Sequence, residues 1–479
     1  MHDSLRIAIL AAAAVALVLT PIAPAPVFGE ADPEDILHSR IPTQDSQGEL
    51  AGTPESGTAL NMEIVGKHNI GGRGFNGDVW VHRNVAYVGQ WGFGDPQHPD
   101  RCPSGDRAGV KVFNVADPAN PALISTLRNP PRTTAEDVQV LRYTTGRFKG
   151  RDIAMVGIQA CFRTDASIRR GLQLFDVTNP AAPRELGFLN VGVPNGGVHE
   201  FWAVQRGDGV FAILAVPFSM FRDPQARGDV RIADLTDPTR PVEVSDWSSE
   251  RELGPAAGTF GGFGCFPFNF AHGAMSNRAG MLAIVSHWDI GNVFLDISDP
   301  KQPVYLGRTG FPPNSEGDAH SAELSEDERS LMTADEVIPP NSNCQAPDKQ
   351  QEDTWGFLRV FDVTDLAHPV QIGQYKTPNS AGPSRVRKGD YSIHNPVVEG
   401  HKVYASWYSD GVRVLDTSNP AQPVEIGYLV PPPVKDPLHV LGFVPEVWGV
   451  VVDGRGCVYL SEMNFGLYIV RETGNTACR

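Results

Sequence analysis

The chain has 479 residues and a formal net charge of −16, with 41% hydrophobic and 20% charged residues. Apolar residues at that density, persisting along the chain, exclude a disordered polymer. The acidic balance excludes a nucleic-acid binder, because phosphate recognition needs stripes of Lys and Arg.

In chain order, residues 1–29 read as an export signal. Arg6 precedes an apolar stretch from Ile7 to Leu19, and Pro21, Pro24 and Pro26 follow. The stretch is shorter than the roughly 20 residues that span a bilayer. No cysteine lies near it to carry a lipid; an uncleaved anchor is the alternative. Residues 30–58 are polar and read as a flexible leader. The expected location is secreted, extracytoplasmic or on the cell surface.

From residue 59 to 479 a repeat governs the sequence. A glycine opens a β-rich run at Gly109, Gly171, Gly228, Gly291, Gly356, Gly411 and Gly466, at spacings of 55 to 65 residues. An Asx turn follows six of the seven: Asp117-Pro118, Asn179-Pro180, Asp237-Pro238, Asp299-Pro300, Asp365-Leu366 and Asn419-Pro420. Asp or Asn caps its own backbone there and Pro fixes φ, so one strand stops and another begins. Upstream of each glycine lies a strand pair, such as Asn395–Val398 with Lys402–Trp407, Asp78–Val81 with Val85–Gln90, and Gly449–Val452 with Cys457–Glu462. A fourth strand follows the turn, as in Val424–Leu429. Four short antiparallel strands at this period describe one blade of a propeller. The seventh copy lacks its turn and fourth strand. Met62-Glu63-Ile64-Val65-Gly66 resembles Val424-Glu425-Ile426-Gly427, so residues 62–69 are expected to supply the missing strand. The predicted fold is all-β: a single seven-bladed β-propeller closed by an N-terminal strand, without an unpaired seam. A monomer is expected.

The repeated core, Gly-[Val/Leu]-x-[Val/Leu/Ile]-[Phe/Leu]-Asp-[Val/Ile]-[Thr/Ser]-[Asp/Asn]-Pro, resembles the LVIVD-repeat family of bacterial and archaeal secreted or surface β-propellers. The likeness spans about residues 60–471. It implies the fold and leaves the biochemical role open, since propellers host unrelated activities. Leu366 departs from the pattern, and repeats two, three and five carry long insertions between their middle strands.

Six cysteines in an exported chain favour disulfides. Position in the repeats suggests Cys102–Cys161, Cys457–Cys478 and, as the remainder, Cys265–Cys344.

Aligning the repeats on their first strands gives the residue that enters each: Gly77, Glu136, His199, His272, His320, His394 and Trp448. First strands line the axial channel, so four histidines are expected to converge at one of its mouths. The insertions Phe218–Arg227 and Ile338–Thr354 are expected to border it. Imidazoles suit Zn, Cu, Fe or Ni, and Glu136 or Glu200 would complete or orient such a site. The placement resembles the four-histidine metal sites of carotenoid oxygenases and of selenium-binding-type methanethiol oxidases. A metal-free polar pocket and purely structural histidines remain open alternatives. Gly71-Gly72-Arg73-Gly74 and Gly261-Gly262-Phe263-Gly264 do not sit between a strand and a helix, as a phosphate loop would. No Gly-x-Ser-x-Gly elbow is present. The run Phe260, Phe263, Phe266, Phe268 and Phe270 reads as inter-blade packing or the floor of an apolar pocket. Two functional readings stand. One is a binding scaffold whose loop-rich face recognises a small molecule, a cell-surface component or a protein partner. The other is a metal-dependent oxidoreductase or lyase at the four histidines.

Overall fold

The computed structural model describes residues 57–92, 98–162, 165–192, 196–217, 227–254, 269–311, 317–337, 355–381 and 389–479. The expected export signal, most of the leader, Cys265, Cys344, Phe260 through Phe268 and Gly261 through Gly264 lie outside these residues. So do nearly all of the two insertions. Among the described residues, no helix is long and apolar enough to cross a membrane.

The described chain is built from antiparallel sheets of four strands per repeat, those of repeats one and two being joined into one eight-stranded sheet by the pair Gln90–Ala135. In the third repeat the strands are Phe201–Gln205, Val210–Ala215, Val230–Asp234 and Val242–Trp247, paired in sequence order. The two middle strands are buried almost throughout, and the fourth is half-exposed. The difference follows from packing: the middle strands face neighbouring sheets on both sides, while the fourth forms the rim. The other repeats follow the same order. Their first strands are Asn76–His82, Thr133–Arg142, Gly273–Ser276, Ala319–Leu324, Pro396–Glu399 and Val447–Val452. Each first strand touches the first strand of the next repeat, and Val447–Val452 touches Asn76–His82. Apolar clusters fill the gaps between neighbouring sheets. One joins Leu172 and Leu174 to Ala212 and Leu214, and another joins Val79, Val88 and Phe113 to Tyr459, Leu467 and Ile469. Sheets repeated radially about a common axis, with first strands innermost, form a β-propeller.

The repeat's chemistry is visible in the turns. Asp117, Asn179, Asp237, Asp299, Asp365 and Asn419 each accept, through Oδ1, a hydrogen bond from the backbone N–H two residues on, at 3.0–3.3 Å. Leu366 therefore costs the fifth turn its Pro but not its cap. The opening glycine has a different cause. A Cβ on Gly109, Gly171, Gly228 or Gly411 would overlap the carbonyl oxygen of Leu127, Leu189, Trp247 or Leu429, where the fourth strand ends. At Gly466 the oxygen in that position belongs to His68.

Met62–His68 pairs antiparallel with Gly466–Glu472, with a register shift between Ile64 and Gly66. Arg184–Asn190 carries the same shift between Glu185 and Gly187 against its own third strand. Ala59–Leu60, which the sequence pattern did not predict, adds to the outer edge of Val424–Leu429. Disulfides join Cys102 to Cys161 and Cys457 to Cys478. The first ties repeats one and two; the second ties the chain end to the second strand of the last sheet.

Candidate metal centre

The axial residues sit where the first strands are irregular. Register shifts fall between Asn76 and Val79, Ala135 and Val138, Ala319 and Ser321, and Val447 and Gly449. These bulges contain Gly77, Asp78, Glu136, Asp137, His320 and Trp448. A bulge lets two consecutive side chains turn towards one side of a strand and re-aims them. His199, His272 and His394 arrive just before their strands, held by backbone bonds from their N–H groups to the carbonyls of Ala215, Ser286 and Ser406 at 2.9–3.1 Å.

The structure brings all four histidines into one buried row. Ring centroids are 4.3 Å apart for His199–His272, 4.1 Å for His272–His320 and 4.1 Å for His320–His394. Trp448 continues the row at 4.1 Å from His394. At the other end, Glu136 Oε2 lies 2.7 Å from His199 Nδ1. Gly77 fills the remaining axial position, and a Cβ there would press on the Glu136 side chain and backbone. Glycine at 77 thus leaves room for Glu136.

His199 Nδ1 also lies 3.2 Å from Gln159 Oε1, and His199 Nε2 lies 2.9 Å from His272 Nε2. With a proton on His199 Nδ1 donated to Gln159 Oε1, and Glu136 Oε2 close beside it, its Nε2 accepts from the Nε2–H of His272. The second pair differs: the rings of His320 and His394 face the backbone carbonyls of His394 and Trp448, but neither makes a hydrogen bond of good geometry. Both rings are fully buried. Glu200 Oε1 is likewise buried without a hydrogen-bond partner. It stands 3.8 Å from His320 Nε2 and 3.9 Å from His272 Nδ1. Those separations are too long for hydrogen bonds. Two ligands at about 2.1 Å from one tetrahedral ion would lie roughly 3.4 Å apart, so a modest closure reaches a coordination polyhedron. Gly273 makes room for this carboxylate: a Cβ there would come within 2.6 Å of Glu200 Oε2.

Three groups bring ligating atoms within 4.8 Å of one another: His199, Glu200 and His272; Glu200, His320 and His394; and His272, His320 and Glu336. No one of these groups holds all four histidines, so the row is a series of overlapping three-residue sets. Glu136 belongs to none of them and stands behind His199. Glu336 escaped the alignment of first strands because it follows the second strand of repeat five, Ser330–Asp335. Its Oε2 is 3.6 Å from His320 Nε2, and its Oε1 accepts a hydrogen bond from Tyr408. A buried acid at a second-strand end, one residue beyond Asp335, was the available sequence signal.

Burial sets the protonation states. Desolvation, helped by the neighbouring imidazoles, holds His320 and His394 well below the ordinary histidine value. They are neutral at pH 7 with lone pairs available. Burial pushes Glu136 well above the usual carboxylate range. Burial and then mutual repulsion among Asp78, Glu136, Asp137 and Glu336 do the same for Glu200. Glu336 is pushed up to about 8, mainly by burial. Carboxylates in such surroundings hold protons or need a cation.

Of the aromatic run, Phe270 is described; it stacks on Trp288 at 4.8 Å and lies 6.0 Å from His272. Arg73, in the glycine-rich segment, is buried and donates to the carbonyls of Gly109 at 2.8 Å and Val88 at 3.3 Å. That loop is pinned by its own backbone acceptors.

No family model and no curated protein matches the chain. Among solved structures it is similar to the β-propeller domain of Myceliophteria thermophila Cps50 (Swd1), at 10% identity and a TM-score of 0.49, over 89% of this chain and 99% of that one.

Proposed function

We propose that this chain is an exported, seven-bladed β-propeller of the LVIVD-repeat type that binds one transition-metal ion on Glu200, His320 and His394. The blade count is supported by the cyclic contacts of the first strands, with Val447–Val452 against Asn76–His82. Closure by the N-terminal strand is supported by its pairing with Gly466–Glu472. The two disulfides suit an oxidising, extracytoplasmic compartment.

One observation carries the metal reading. Among the three ligand-spaced groups, this is the one in which every member is buried and bears ligating atoms without a well-formed hydrogen bond. Leaving such atoms unpaired costs about 1–3 kcal/mol each, and a bound cation would offset that. The donors are two neutral imidazoles and a carboxylate, with no thiolate, which suits Zn, Cu, Fe or Ni. Two imidazoles and one carboxylate leave coordination positions open, so the ion would supply Lewis-acid or redox chemistry, as in an oxidoreductase or a lyase. The other residues support the set: the hydrogen-bonded His199–His272 pair flanks it, and Tyr408 and Trp448 pack on His394 at 5.3 and 4.1 Å. The scaffold reading depends on the insertions of repeats three and five, nearly all of which lie outside the described residues.

The test is metal content of the protein purified from its own compartment, and after incubation of metal-stripped protein with Zn(II), Cu(II), Fe(II) or Ni(II). One ion per chain is expected. It should be lost in His320→Ala and His394→Ala and retained, more weakly bound, in His199→Ala. A folded wild-type protein that takes up none of the four would overturn the reading.

A further inference from the structure

Beneath the row of histidines the axis opens into a cavity of about 330 Å³. Its walls come from the first strands. Asp78, Asp137 and Glu200 line it, with Ser321 and Asn395 at the same level of the strand alignment. Trp80 and Trp202 follow two residues further along their strands, with ring centroids 6.1 Å apart in an edge-to-face arrangement. Glu323 and Glu399 lie further along, and Val79, Val397, Val450 and Met275 supply apolar wall. Among the described residues, five carboxylates line this space, and no Lys, Arg or His does.

We propose that the axial cavity is a binding site for a small organic cation, an alkyl or arylalkyl ammonium, with its charge among Asp78, Asp137 and Glu200 and its hydrocarbon part against Trp80 and Trp202. Three features favour this chemistry. The described lining offers an anion no basic group, and Asp78 and Asp137 are held there by neutral donors, the Asn395 amide and the Phe201 N–H, rather than by a counter-charge. Tryptophan faces attract ammonium groups and cover hydrocarbon, which a hydrated metal ion does not need. The carboxylates are also too dispersed to chelate. Among the described residues, the sets with ligand atoms within 4.8 Å of each other include Glu200 but neither Asp78 nor Asp137. Glu200, more than nine-tenths buried, lines this space and stands between it and the histidine row, with its Oε1 lacking a hydrogen-bond partner. The volume lies at the lower end for small-molecule pockets, which excludes a peptide. The site does not depend on the proposed metal; Glu200 is the one residue they share.

The experiment uses the full chain, stripped of metal, and three probes of one shape: phenethylamine, 2-phenylethanol and phenylacetate. Calorimetry and quenching of tryptophan fluorescence read binding. Phenethylamine should bind at least about tenfold tighter than the alcohol, and phenylacetate should not bind. Asp78→Asn combined with Asp137→Asn should remove most of the preference for the amine over the alcohol. Trp202→Leu should weaken both. Equal binding of all three probes, or binding of none, overturns the proposal. So does displacement of the amine by stoichiometric Ca²⁺, which would assign the carboxylates to an inorganic ion. If the double variant fails to fold, the ranking of the three probes on the wild-type chain still decides. Metal stripping separates this outcome from that of the histidine site.

Discussion

Alanine at Gly66 tests whether the N-terminal strand is a working fourth strand of the last blade. In the structure Gly66 packs against the next repeat: a Cβ there would overlap the carbonyl oxygen of Pro118 and meet that of Ala119. Gly187 and Gly373 make the same approach to the carbonyls of Pro238 and Pro420. In each case the obstacle is backbone in a capped turn, which cannot swing aside as a side chain would. Forcing a methyl into such a contact costs about 1–3 kcal/mol. Unfolding entropy of about 2.1 cal/mol/K per residue, over about 420 residues, makes that a fall of roughly 1–3 °C in Tm for a cooperative unit. Gly66→Ala, Gly187→Ala and Gly373→Ala should therefore lower Tm alike in differential scanning calorimetry. Gly454→Ala, with nothing within 4 Å of the added atom, should leave it unchanged. A Gly66→Ala protein that melts with the wild type, while the other two melt early, would refute the closure.

Removing the Cys457–Cys478 bridge with paired Ser substitutions frees a loop of 21 residues. The loss should be about 3 kcal/mol in urea unfolding, and wild-type protein under reductant should lose more, because Cys102–Cys161 opens as well. Stability of the metal-free protein should fall between pH 6.5 and 8. Asp78 is raised from 3.8 to about 8, chiefly by burial and then by Glu136; Glu323 is raised to about 8 and Glu462 to about 7, both chiefly by burial. The folded state keeps these protons after the unfolded chain has lost them, so their contribution is full below about pH 4 and is lost as pH rises towards 8. His320 and His394 act oppositely, being depressed, but their gain is complete above 6.5. Thermal melts at the two pH values check the sign, and Asp78→Asn should flatten the slope. Glu136→Gln should weaken metal binding, though no more than His199→Ala does, because Glu136 acts through His199, which flanks the proposed ligands. Competition with a chelating dye measures this, and an unchanged affinity would detach Glu136 from the site.

The outer half of each repeat was legible because its chemistry is local. An Asx cap acts over two residues, so Asn419 and Ala421 reveal it wherever the pattern occurs, and the expected strand Val424–Leu429 is the one observed. The inner strands were less legible. Asp78–Val81 was expected and Asn76–His82 is found; Gly449–Val452 was expected and Val447–Val452 is found. Bulges there break the period-two pattern on which strand bounds depend. Of the site, the repeat phase placed the four histidines together, since the phase is what puts them at one level of the axis. It could not select a set of ligands. Glu336 arrives from the end of a second strand, and the division of the row into a bonded pair and an unpaired pair depends on side-chain angles and tautomers.

That division also bears on why the histidines recur. A histidine kept in successive blades for packing should make the same contact in each blade, because the surrounding backbone repeats. Part of the contact does repeat, since His320 and His394 each face the backbone carbonyl of the next axial residue, His394 and Trp448, but the rest does not. His199 has Glu136 and Gln159 at Nδ1, whereas neither nitrogen of His320 or His394 has a well-formed bond. The other three axial positions diverge further, to Gly77, Glu136 and Trp448, and each adapts to its neighbours: the glycine leaves space, the carboxylate backs His199, and the indole lies against His394. A radially repeated frame thus carries an asymmetric centre. Asymmetry of this kind is what a site with one distinguished ligand requires, and the metal content of the His320→Ala and His394→Ala proteins decides between that and a packing role.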